Sequence, residues 1–383
     1  MTINKLMVKD VRNIHSLTIT PSPFINILYG LNGSGKTSVL EAIHLLSLAR
    51  SFRSSRLKPV IQKDKSKLTV FGQLLTESQS LIPVGVSRDI NEEFFQIRVA
   101  GESLRMTSEL AQLLPLQLIN PDTFRLLEGS PKVRRQFLDW GVFHVKRRDF
   151  LPIWKRAQKA LKQRNSLLRH ARMRGSSLEA ELAPWDLELA RSADAIDRLR
   201  SDYFEEFTPV FHQVLEELTD LSKIRLSYYR GWDKERSFHD VLRDNLVRDI
   251  QSGYTQSGPQ RADLRVRVDG SNVIDILSRG QQKLVVCAMK LAQGLLHTKT
   301  SGKKCVFLVD DLPSELDALH RKALCNILQK MQSQVFITCV ERDALADCWL
   351  PGVDVKVFHV KQGRVDEPGR ENRQTESLEI EHD

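Results

Sequence analysis

The sequence predicts an α/β fold in which a β-rich lobe, built from both ends of the chain, is interrupted by a helical lobe. Three observations predict this arrangement. Residues 1–105 carry short apolar runs with strand-like alternation around a glycine-rich loop. Residues 106–255 carry long apolar patterns at helical spacing, and strand-like runs return in residues 256–365. The last residues, 366–383, are acidic and polar, which predicts a disordered tail.

The N-terminal segment predicts the order strand, turn, strand, loop and helix. Leu6 and Val8 alternate with polar neighbours, and the apolar run FINILY at 24–29 is typical of a buried strand. A glycine-rich loop follows it. The helix after this loop is predicted from apolar residues at helical spacing, namely Val39, Leu40, Ile43 and Leu46.

Further strands are predicted on both sides of the helical lobe. The runs LTVFGQLL, LIPVGVS and FFQIRVA lie within residues 68–100. Alternation returns at Leu264, Val266 and Val268 and continues with the runs CVFLVD and QVFIT. The helical lobe is therefore predicted to be an insertion.

Two long helices are predicted inside the insertion. One face contains Trp154, Ala157, Leu161 and Leu168, and a second contains Trp185, Leu189, Ile196, Leu199 and Tyr203. A polar break at residues 174–177 separates them. This order predicts either an antiparallel hairpin that extends as a short arm or a compact helical subdomain.

The composition is that of a globular chain with a moderate basic excess. Among 383 residues, 57 Lys and Arg stand against 48 Asp and Glu, which gives a formal net charge of +9. No run approaches the roughly 20 apolar residues that span a bilayer, and the N-terminus lacks the apolar core of a secretory signal. The five cysteines show no CxxC spacing. We therefore expect a reduced cytoplasmic protein and no membrane partner.

The positive charge is concentrated in one segment. Residues 121–174 contain 15 Lys and Arg and 4 Asp and Glu, a balance of +11, so the other residues sum to −2. Such a surplus suits a polyanion, but it is equally typical of a solvated helical face whose cations pair with acids of the same chain. The candidates for DNA contacts are Arg134, Arg135, Lys146, Arg147 and Arg148.

The glycine-rich loop fits the phosphate-binding pattern GxxxxGK[ST]. Glycines let backbone N–H groups approach phosphate oxygens closely, the lysine reaches the β- and γ-phosphates, and the hydroxyl after it binds Mg²⁺. The loop follows a predicted strand and opens a predicted helix, which is the context that this motif requires. The predicted nucleotide contacts are Gly30, Asn32, Gly33, Ser34, Gly35, Lys36, Thr37 and Ser38, with Thr37 also a metal ligand.

An acidic pair follows a second buried strand. The four apolar residues of VFLV are followed by Asp310 and Asp311. A carboxylate at the carboxyl edge of a buried strand suits a Mg²⁺ ligand, which predicts that role for Asp310. Asp311 is then predicted to polarise the attacking water.

The run LSRGQQ at 277–282 predicts a capped helix with a possible phosphate contact. Ser278 and Gln281 match the S-x-x-Q capping box, and an apolar helical face follows. In the functional interpretation, a Ser hydroxyl and a Gly N–H at this helix start reach a γ-phosphate. The predicted contacts are Ser278, Arg279, Gly280, Gln281 and Gln282.

The order of these three motifs resembles the ATP-binding-cassette head of SMC proteins and their DNA-repair relatives. A sequence SELD at 314–317 follows the acidic pair, as in such heads. The segment LINPDTFRLLEGSPKVRRQFLDWGVFHV, together with LKQRNSLLR, GPQRADL and LSRGQQKL, is similar to the RecF family over nearly the whole chain up to Gly363. The expected fold is thus an ABC-type P-loop ATPase head with an inserted helical lobe.

The resemblance implies an ATP-dependent DNA-binding protein in recombinational repair and replication-fork maintenance, with ATP and Mg²⁺ as cofactors. RecF-like heads pair head to head on ATP, engage single-stranded and duplex DNA at gaps, and work with RecR and RecO type mediators to help RecA load. Slow, DNA-stimulated hydrolysis resets the clamp. In such a homodimer, Ser278 to Gln282 of one subunit cover the nucleotide on Lys36 of the other, and Ser278, Gly280 and Asp317 lie at the interface.

The sequence departs from the pattern at four positions. Asp311 stands where many cassette ATPases have Glu, which implies slow hydrolysis, and Thr338 and Cys339 stand where transporter heads have a histidine. Gln260 replaces the usual His of the GPxR element, and Gln73 is a candidate for the glutamine that contacts metal and water. A transporter ATPase subunit, another SMC-like ATPase and a P-loop kinase are the alternative functions.

Overall fold

The computed structural model describes residues 1–171 and 177–366, with the backbone alone for Arg147 and Arg148. The predicted tail after Asp366 and most of the predicted break at 174–177 therefore lie outside the described residues. The chain divides into two compact units. The first unit combines Met1–Pro121 with the residues from Lys303 onward, and the second is Asp122–Gly302.

Both units contain helices and strands. The strands are β1 (Thr2–Val11), β2 (Ile14–Ile19), β3 (Ile25–Tyr29), β4 (Lys67–Leu75), β5 (Leu81–Asp89), β6 (Gln96–Val99), β7 (Glu102–Leu104), β8 (Leu116–Ile119), β9 (Ile224–Tyr229), β10 (Asp263–Val268), β11 (Ser271–Asn272), β12 (Val306–Val309), β13 (Val335–Cys339), β14 (Val355–Lys361) and β15 (Arg364–Asp366). The helices are α1 (Lys36–Leu48), α2 (Thr107–Leu113), α3 (Arg125–Glu128), α4 (Pro131–Val145), α5 (Arg147–Arg169), α6 (Leu178–Leu218), α7 (Phe238–Asp244), α8 (Leu246–Ser252), α9 (Val273–Ile276), α10 (Arg279–Ser301), α11 (Leu312–Glu315) and α12 (Ala318–Lys330).

The first unit contains two six-stranded sheets. One is antiparallel and has the order β2-β1-β4-β5-β6-β7, and the other has the order β15-β14-β3-β13-β12-β8 and is parallel apart from β15. The sequence predicted β1 to β6, β12 and β13, including the alternation that buries Leu6 and Val8, but not β7, β8, β14 and β15. Helix α1 packs against strands of both sheets, and its apolar residues Leu40, Ile43 and Leu46 are fully buried.

The parallel sheet determines where a ligand can bind. Strands β3, β8, β12 and β13 run in the same direction, so their carboxyl ends meet at one edge. Open parallel sheets bind ligands at this edge, where the strand order changes direction. The glycine-rich loop follows β3 and the acidic pair follows β12. The two motifs, which are far apart in sequence, therefore meet at one crevice.

The second unit is built around the predicted helical hairpin. Helices α5 and α6 pack antiparallel, because Arg164 contacts Asp186 at 2.6 Å while Leu168, later in α5, clusters with Leu182, earlier in α6. Hydrophobic residues of the segment after β9, among them Trp232 and Phe238, share a core with the hairpin. The hairpin is therefore covered along its length, and the unit is the compact helical subdomain rather than a free arm.

Arg164 shows how strongly this unit is tied together. Its guanidinium is fully buried and donates to Asp186 and to Asp249 at 2.6 Å each, and to Thr255 at 2.8 Å. A buried cation of this kind requires paired carboxylates, because desolvation would otherwise disfavour the charge. Arg164 belongs to the basic segment counted in the sequence, so part of that surplus is internal.

The boundaries of the units differ from the predicted lobes. The prediction placed residues 256–365 with the first lobe, whereas residues up to Gly302 group with the second unit. The reason is α10, whose buried face packs along α6 and α4. Here Gln293 donates to the carbonyl of Phe137 at 2.9 Å. All five cysteines are buried free thiols, and no helix in the described ranges is long and apolar enough to span a membrane.

Candidate nucleotide-binding site and DNA-binding surface

The glycine-rich loop has a backbone that only glycine adopts without strain. Gly30, Gly33 and Gly35 have positive φ values of 148°, 78° and 117°. A Cβ at Gly30 would lie 2.2 Å from the carbonyl oxygen of Val360, and one at Gly35 would crowd the side chain of Asn13. The loop therefore lies against β14 with its N–H groups free of side-chain bulk. It leads directly into α1, whose positive end stabilises anions.

Lys36 is held over this loop. Its side chain is buried, and Nζ donates to the carbonyls of Gly30 at 2.6 Å and Leu31 at 3.0 Å. These two carbonyls fix the ammonium group in the centre of the loop. A fixed point charge at this position can pair with phosphate oxygens.

Thr37 and Asp310, the two residues predicted to bind a metal, contact each other across the crevice. Thr37 Oγ1 donates to Asp310 Oδ1 at 3.0 Å, and Thr338 Oγ1 donates to the same oxygen at 2.8 Å. Burial raises the pKa of Asp310 above its ordinary value, which means that the ionised carboxylate is disfavoured here. A hydroxyl and a carboxylate are hard oxygen ligands, which fit Mg²⁺ held largely by substrate phosphates.

Asp311 has a strained backbone and a free carboxylate oxygen. Its φ is 54°, in the left-handed region, and its N–H donates to Thr338 Oγ1 at 2.7 Å. Its Oδ1 atom is buried and has no hydrogen-bond partner among the described residues. Thr338 thus positions both acidic residues from the place where a transporter head has histidine. A carboxylate oxygen without an internal partner can accept a proton from water.

Asn13 is a site residue that the sequence analysis missed. Its Nδ2 donates to the carbonyl of Gly33 at 3.1 Å, and its Oδ1 accepts from Ser38 Oγ at 2.8 Å. The turn between β1 and β2 therefore braces the glycine-rich loop. Next to it, the Arg12 guanidinium forms a bidentate pair, at 2.8 Å, with the fully buried Glu41 of α1. Nothing in the local sequence marked this turn as part of the site.

These elements enclose a cavity of about 1170 Å³ within the first unit. All seven predicted nucleotide contacts from 32–38 line it, whereas the Gly30 carbonyl accepts from Lys36. The loop between α1 and β4 contributes four cations and one acid, Asp64, to the lining of the cavity. The cations are Arg53, Lys58, Lys63 and Lys65. The size of the cavity and its positively charged lining suit a nucleoside triphosphate.

The predicted signature element lies in the second unit at the start of α10. Ser278 is the N-cap residue and forms a complete capping box with Gln281. Ser278, Arg279 and Gly280 are exposed, and Arg279 pairs with Glu128. Gln282 is buried, and its amide donates to the carbonyls of Leu277 and Ile274. Gln282 therefore stabilises the turn before the helix, while the first three residues face solvent.

Asp317 is the N-cap residue of α12. Its carboxylate accepts from the N–H of His320 at 3.0 Å and pairs with the His320 ring at 2.7 Å. The backbone hydrogen bond from His320, followed by the side-chain bond, lowers the pKa of Asp317. Asp317 is exposed, so the residue remains accessible to a second molecule.

Two of the predicted DNA contacts have internal partners. The Arg134 guanidinium pairs with both oxygens of Asp263 at 2.8 and 3.1 Å and also donates to the carbonyls of Leu127 and Gly129. Arg135 donates to the carbonyl of Ala262 at 2.8 Å, and burial lowers its pKa. Both arginines thereby join α4 to the start of β10. Arg134 and Arg135 therefore fit the alternative interpretation of the basic segment, in which its cations pair with groups of the same chain.

The other three predicted contacts lie around the start of α5. Lys146 is more than a third exposed and lies 3.7 Å from Glu206. Arg147 and Arg148 belong to the first turn of α5, and their side chains lie outside the described residues. Lys146 thus has a partly exposed charge with Glu206 within ion-pair distance.

Gln73 and Gln260, the two glutamines for which the sequence suggested a role, lie in a strand and in a 3₁₀ turn, respectively. Gln73 lies inside β4, paired in register with Lys5 and Pro83, rather than after a strand. Gln260 donates to the carbonyl of Ser257 at 2.7 Å. In the parallel sheet, Asn120 follows β8 at the same edge as Asp310, whose N–H donates to the carbonyl of Ile119. The polar residue nearest to the acidic pair from that strand is therefore Asn120.

Comparison with known proteins matches the chain to the family described as RecF/RecN/SMC N terminal domain over residues 2–366. The chain is 57% identical over 365 residues to the DNA replication and repair protein RecF of Pseudomonas putida strain GB-1, covering 95% of this chain and 98% of that protein. The RecF protein of Pseudomonas aeruginosa strain LESB58 is 56% identical over 95% of this chain and 97% of its own length.

Solved structures give the same relationship. A structure described as the recombination mediator protein RecF-ATP in the RecFOR pathway has a TM-score of 0.83 at 26% identity, over 96% of this chain and 97% of that chain. An Smc head bound to the C-winged helix domain of ScpA has a TM-score of 0.58 at 16% identity, over 95% and 96%. The predicted ABC-type head fold is confirmed.

Proposed function

The chain belongs to the RecF family of DNA replication and repair proteins, and we propose that it is an ATP-dependent DNA-binding protein of recombinational repair and replication-fork maintenance. Its relatives carry that name, and one similar structure is described as RecF-ATP. The observation that carries the proposal is the crevice at the edge of the parallel sheet, where Lys36, Thr37 and Asp310 converge.

ATP is the ligand that this crevice suits. The N–H groups of the loop and Lys36 hold the phosphates, and Thr37 and Asp310 hold Mg²⁺. When bound, Mg²⁺ neutralises charge on the phosphate oxygens. It also supplies positive charge next to the buried Asp310, whose ionised form burial disfavours.

Hydrolysis is expected to be slow. Asp311 offers the unpartnered Oδ1 as the proton acceptor for water, but its side chain is shorter than the Glu of many cassette ATPases. Hydrolysis then serves to release a bound state, and DNA is expected to stimulate it weakly.

The functional state is an ATP-dependent homodimer. Ser278 and Gly280 are exposed at a helix start, where a hydroxyl and an N–H can reach a γ-phosphate presented by a second copy. Asp317 is exposed as well and lies near the same interface in this proposal. In an isologous pair both nucleotide sites are completed together.

DNA, including single strands, duplexes and gaps, is the macromolecular partner. Lys146, Arg147 and Arg148 are the remaining members of the predicted basic set for backbone contacts, since Arg134 and Arg135 have internal partners. Mediators of the RecR and RecO type and the RecA pathway follow from the family. A DNA partner also places the protein in the cytoplasm.

Sizing of the purified protein with and without ATP and DNA tests the proposal. A shift from monomer to dimer that requires ATP, with hydrolysis stimulated by DNA, is expected. A protein that binds ATP but ignores DNA would instead support the alternative of a transporter ATPase subunit, which the family assignment does not favour. A protein that binds no ATP would contradict the assignment of the crevice.

A further inference from the structure

The small sheet of the second unit has one apolar face and one basic face. In β10, Leu264, Val266 and Val268 are buried while Arg265 and Arg267 between them are exposed. Strand β9 pairs with β10 and continues the pattern. We call the exposed residues the arginine face: Arg225, Ser227, Tyr229, Arg265 and Arg267.

Two arginines of this face oppose each other directly. Arg225 of β9 is the register partner of Arg267 of β10. Like charges at directly opposite positions of an antiparallel pair destabilise it. Neither side chain has an ion pair or hydrogen bond within the described chain, and Asp269, two positions after Arg267, pairs with Lys223 instead. The pair of Arg225 and Arg267 therefore does not contribute to the stability of the sheet.

An aromatic ring lies beside these cations. The Arg265 guanidinium lies 4.8 Å from the centre of the Tyr229 ring, and Tyr229 is 38% exposed. An exposed ring next to arginines provides a surface on which a nucleic-acid base can stack while the cations contact its phosphates. The preceding residue of β9, Tyr228, lies on the opposite face of the sheet and donates its hydroxyl to Asp197.

A shallow groove runs along β10 next to the arginine face. It has a volume of about 270 Å³, and its lining includes Arg265, Arg267, Gly270 and Asn272. A Cβ at Gly270 would meet no atom within 4 Å, so the hairpin turn leaves this end of the groove open. Alternate residues of a strand are about 6.6 Å apart, so Arg265 and Arg267 present their charges in a row.

From these features we propose that the arginine face binds DNA through its phosphates, with a base of a single-stranded segment on Tyr229. This inference rests on the proposed function, since it names the surface on which DNA lies. The row of unpaired arginines beside a stacking ring favours a nucleic acid over an acidic protein, which would not need the ring. The surface is separate from the predicted set around α5.

The main test reverses the opposed pair. Arg225→Glu combined with Arg267→Glu removes two phosphate contacts, so binding of labelled DNA with ATP present should weaken more than tenfold. The log–log salt slope should fall by about 0.7–0.9 for each contact. The matched control is Lys159→Glu with Lys162→Glu, two exposed cations of α5 with the same change of charge, and it should retain both affinity and slope.

Two single variants separate binding from folding. Arg225→Glu alone places opposite charges across β9 and β10, so its Tm should stay equal or rise while DNA affinity falls. Tyr229→Ala should weaken single-stranded binding roughly 5- to 150-fold, and duplex binding less. Its control is Tyr254→Ala, an exposed tyrosine that likewise lies under an arginine, Arg261.

Each outcome decides a different statement. If the wild-type protein binds no DNA with ATP present, the proposed function fails. If it binds DNA and the double variant keeps its slope and affinity, the arginine face is not the DNA surface. Equal losses in the lysine control would show that net charge alone acts. Loss of binding to poly-glutamate with unchanged DNA binding would assign the face to an acidic protein.

Discussion

The two phosphate-binding elements of this chain differ in how far each is already assembled. In the crevice of the first unit, Lys36, Thr37 and Asp310 are joined by hydrogen bonds to one another or to the loop. At the start of α10, Ser278 and Gly280 are exposed, and the Ser278 side chain is engaged in its own capping box with Gln281. One element is preorganised for a ligand of its own, whereas the other is presented to solvent. This difference is what a site completed by a second copy requires.

The largest effect is expected at the preorganised element. Lys36→Ala removes the charge that contacts the β- and γ-phosphates, so ATP affinity should fall by roughly 10²-fold or more. Equilibrium binding of a labelled nucleotide measures it. If the variant bound ATP as tightly as the wild type, the crevice would not be the ATP site. Because Lys36 also bonds the loop carbonyls, the Tm of the variant is the control for folding.

At the exposed element, Ser278→Arg should leave ATP binding by the monomer nearly intact and block ATP-dependent pairing. The bulky cation occupies the place where a partner's phosphate would lie. The substitution also removes a helix cap, so Ser237→Arg is the matched control, since Ser237 is an exposed N-cap serine of α7 in the same unit. Loss of ATP binding in the Ser278 variant would mean that the element acts within one copy.

Asp311→Asn sharpens the comparison by separating binding from hydrolysis. The amide is nearly isosteric but cannot accept a proton, so turnover should drop roughly 10²-fold or more while ATP binding persists. The ATP-bound dimer should then accumulate on sizing. Turnover at the wild-type rate would move the proton acceptor away from Asp311.

The smallest effect concerns the stability of the nucleotide-free protein. Burial raises the pKa of Asp310, so its ionisation costs the folded state stability as pH rises above the ordinary value of 3.8. Asp310→Asn can still accept from Thr37 and Thr338 and should raise the Tm at pH 8, by about 2–4 °C per kcal/mol. The gain should shrink toward pH 4. If Asp310→Asn lowered the Tm at pH 8, ionisation of the buried Asp310 would not be what destabilises the nucleotide-free protein.

The elements that the sequence predicted best are those defined by short motifs. The glycine-rich loop, the acidic pair and the capping box at Ser278 all have the local structure expected of them. Each depends on neighbouring residues, so the chain itself carries the information. Three of the parallel strands, β3, β12 and β13, were predicted as well, because buried runs of apolar residues are distinctive.

What the sequence could not predict depends on contacts between distant residues. Arg134, Arg135 and Arg164 counted toward a basic surface, yet each bonds to a group more than 20 positions away. Conversely, Arg225 and Arg267 form one face only because β9 pairs with β10 in that register. Asn13 reaches Gly33 through a turn that has no motif. Charge counts along a chain do not show which charges remain free.

Mixing two inactive variants tests most directly whether the exposed element serves a second copy. Lys36→Ala and Ser278→Arg are each expected to lack ATPase activity alone. Because neither variant is expected to pair with itself, the dimers in the mixture are mixed dimers, each with one intact composite site of two. The mixture should therefore regain DNA-stimulated hydrolysis, up to about half of the wild-type sites. A mixture as inactive as its components, in a sample that sizing shows to contain dimers, would contradict completion of the site by a second copy.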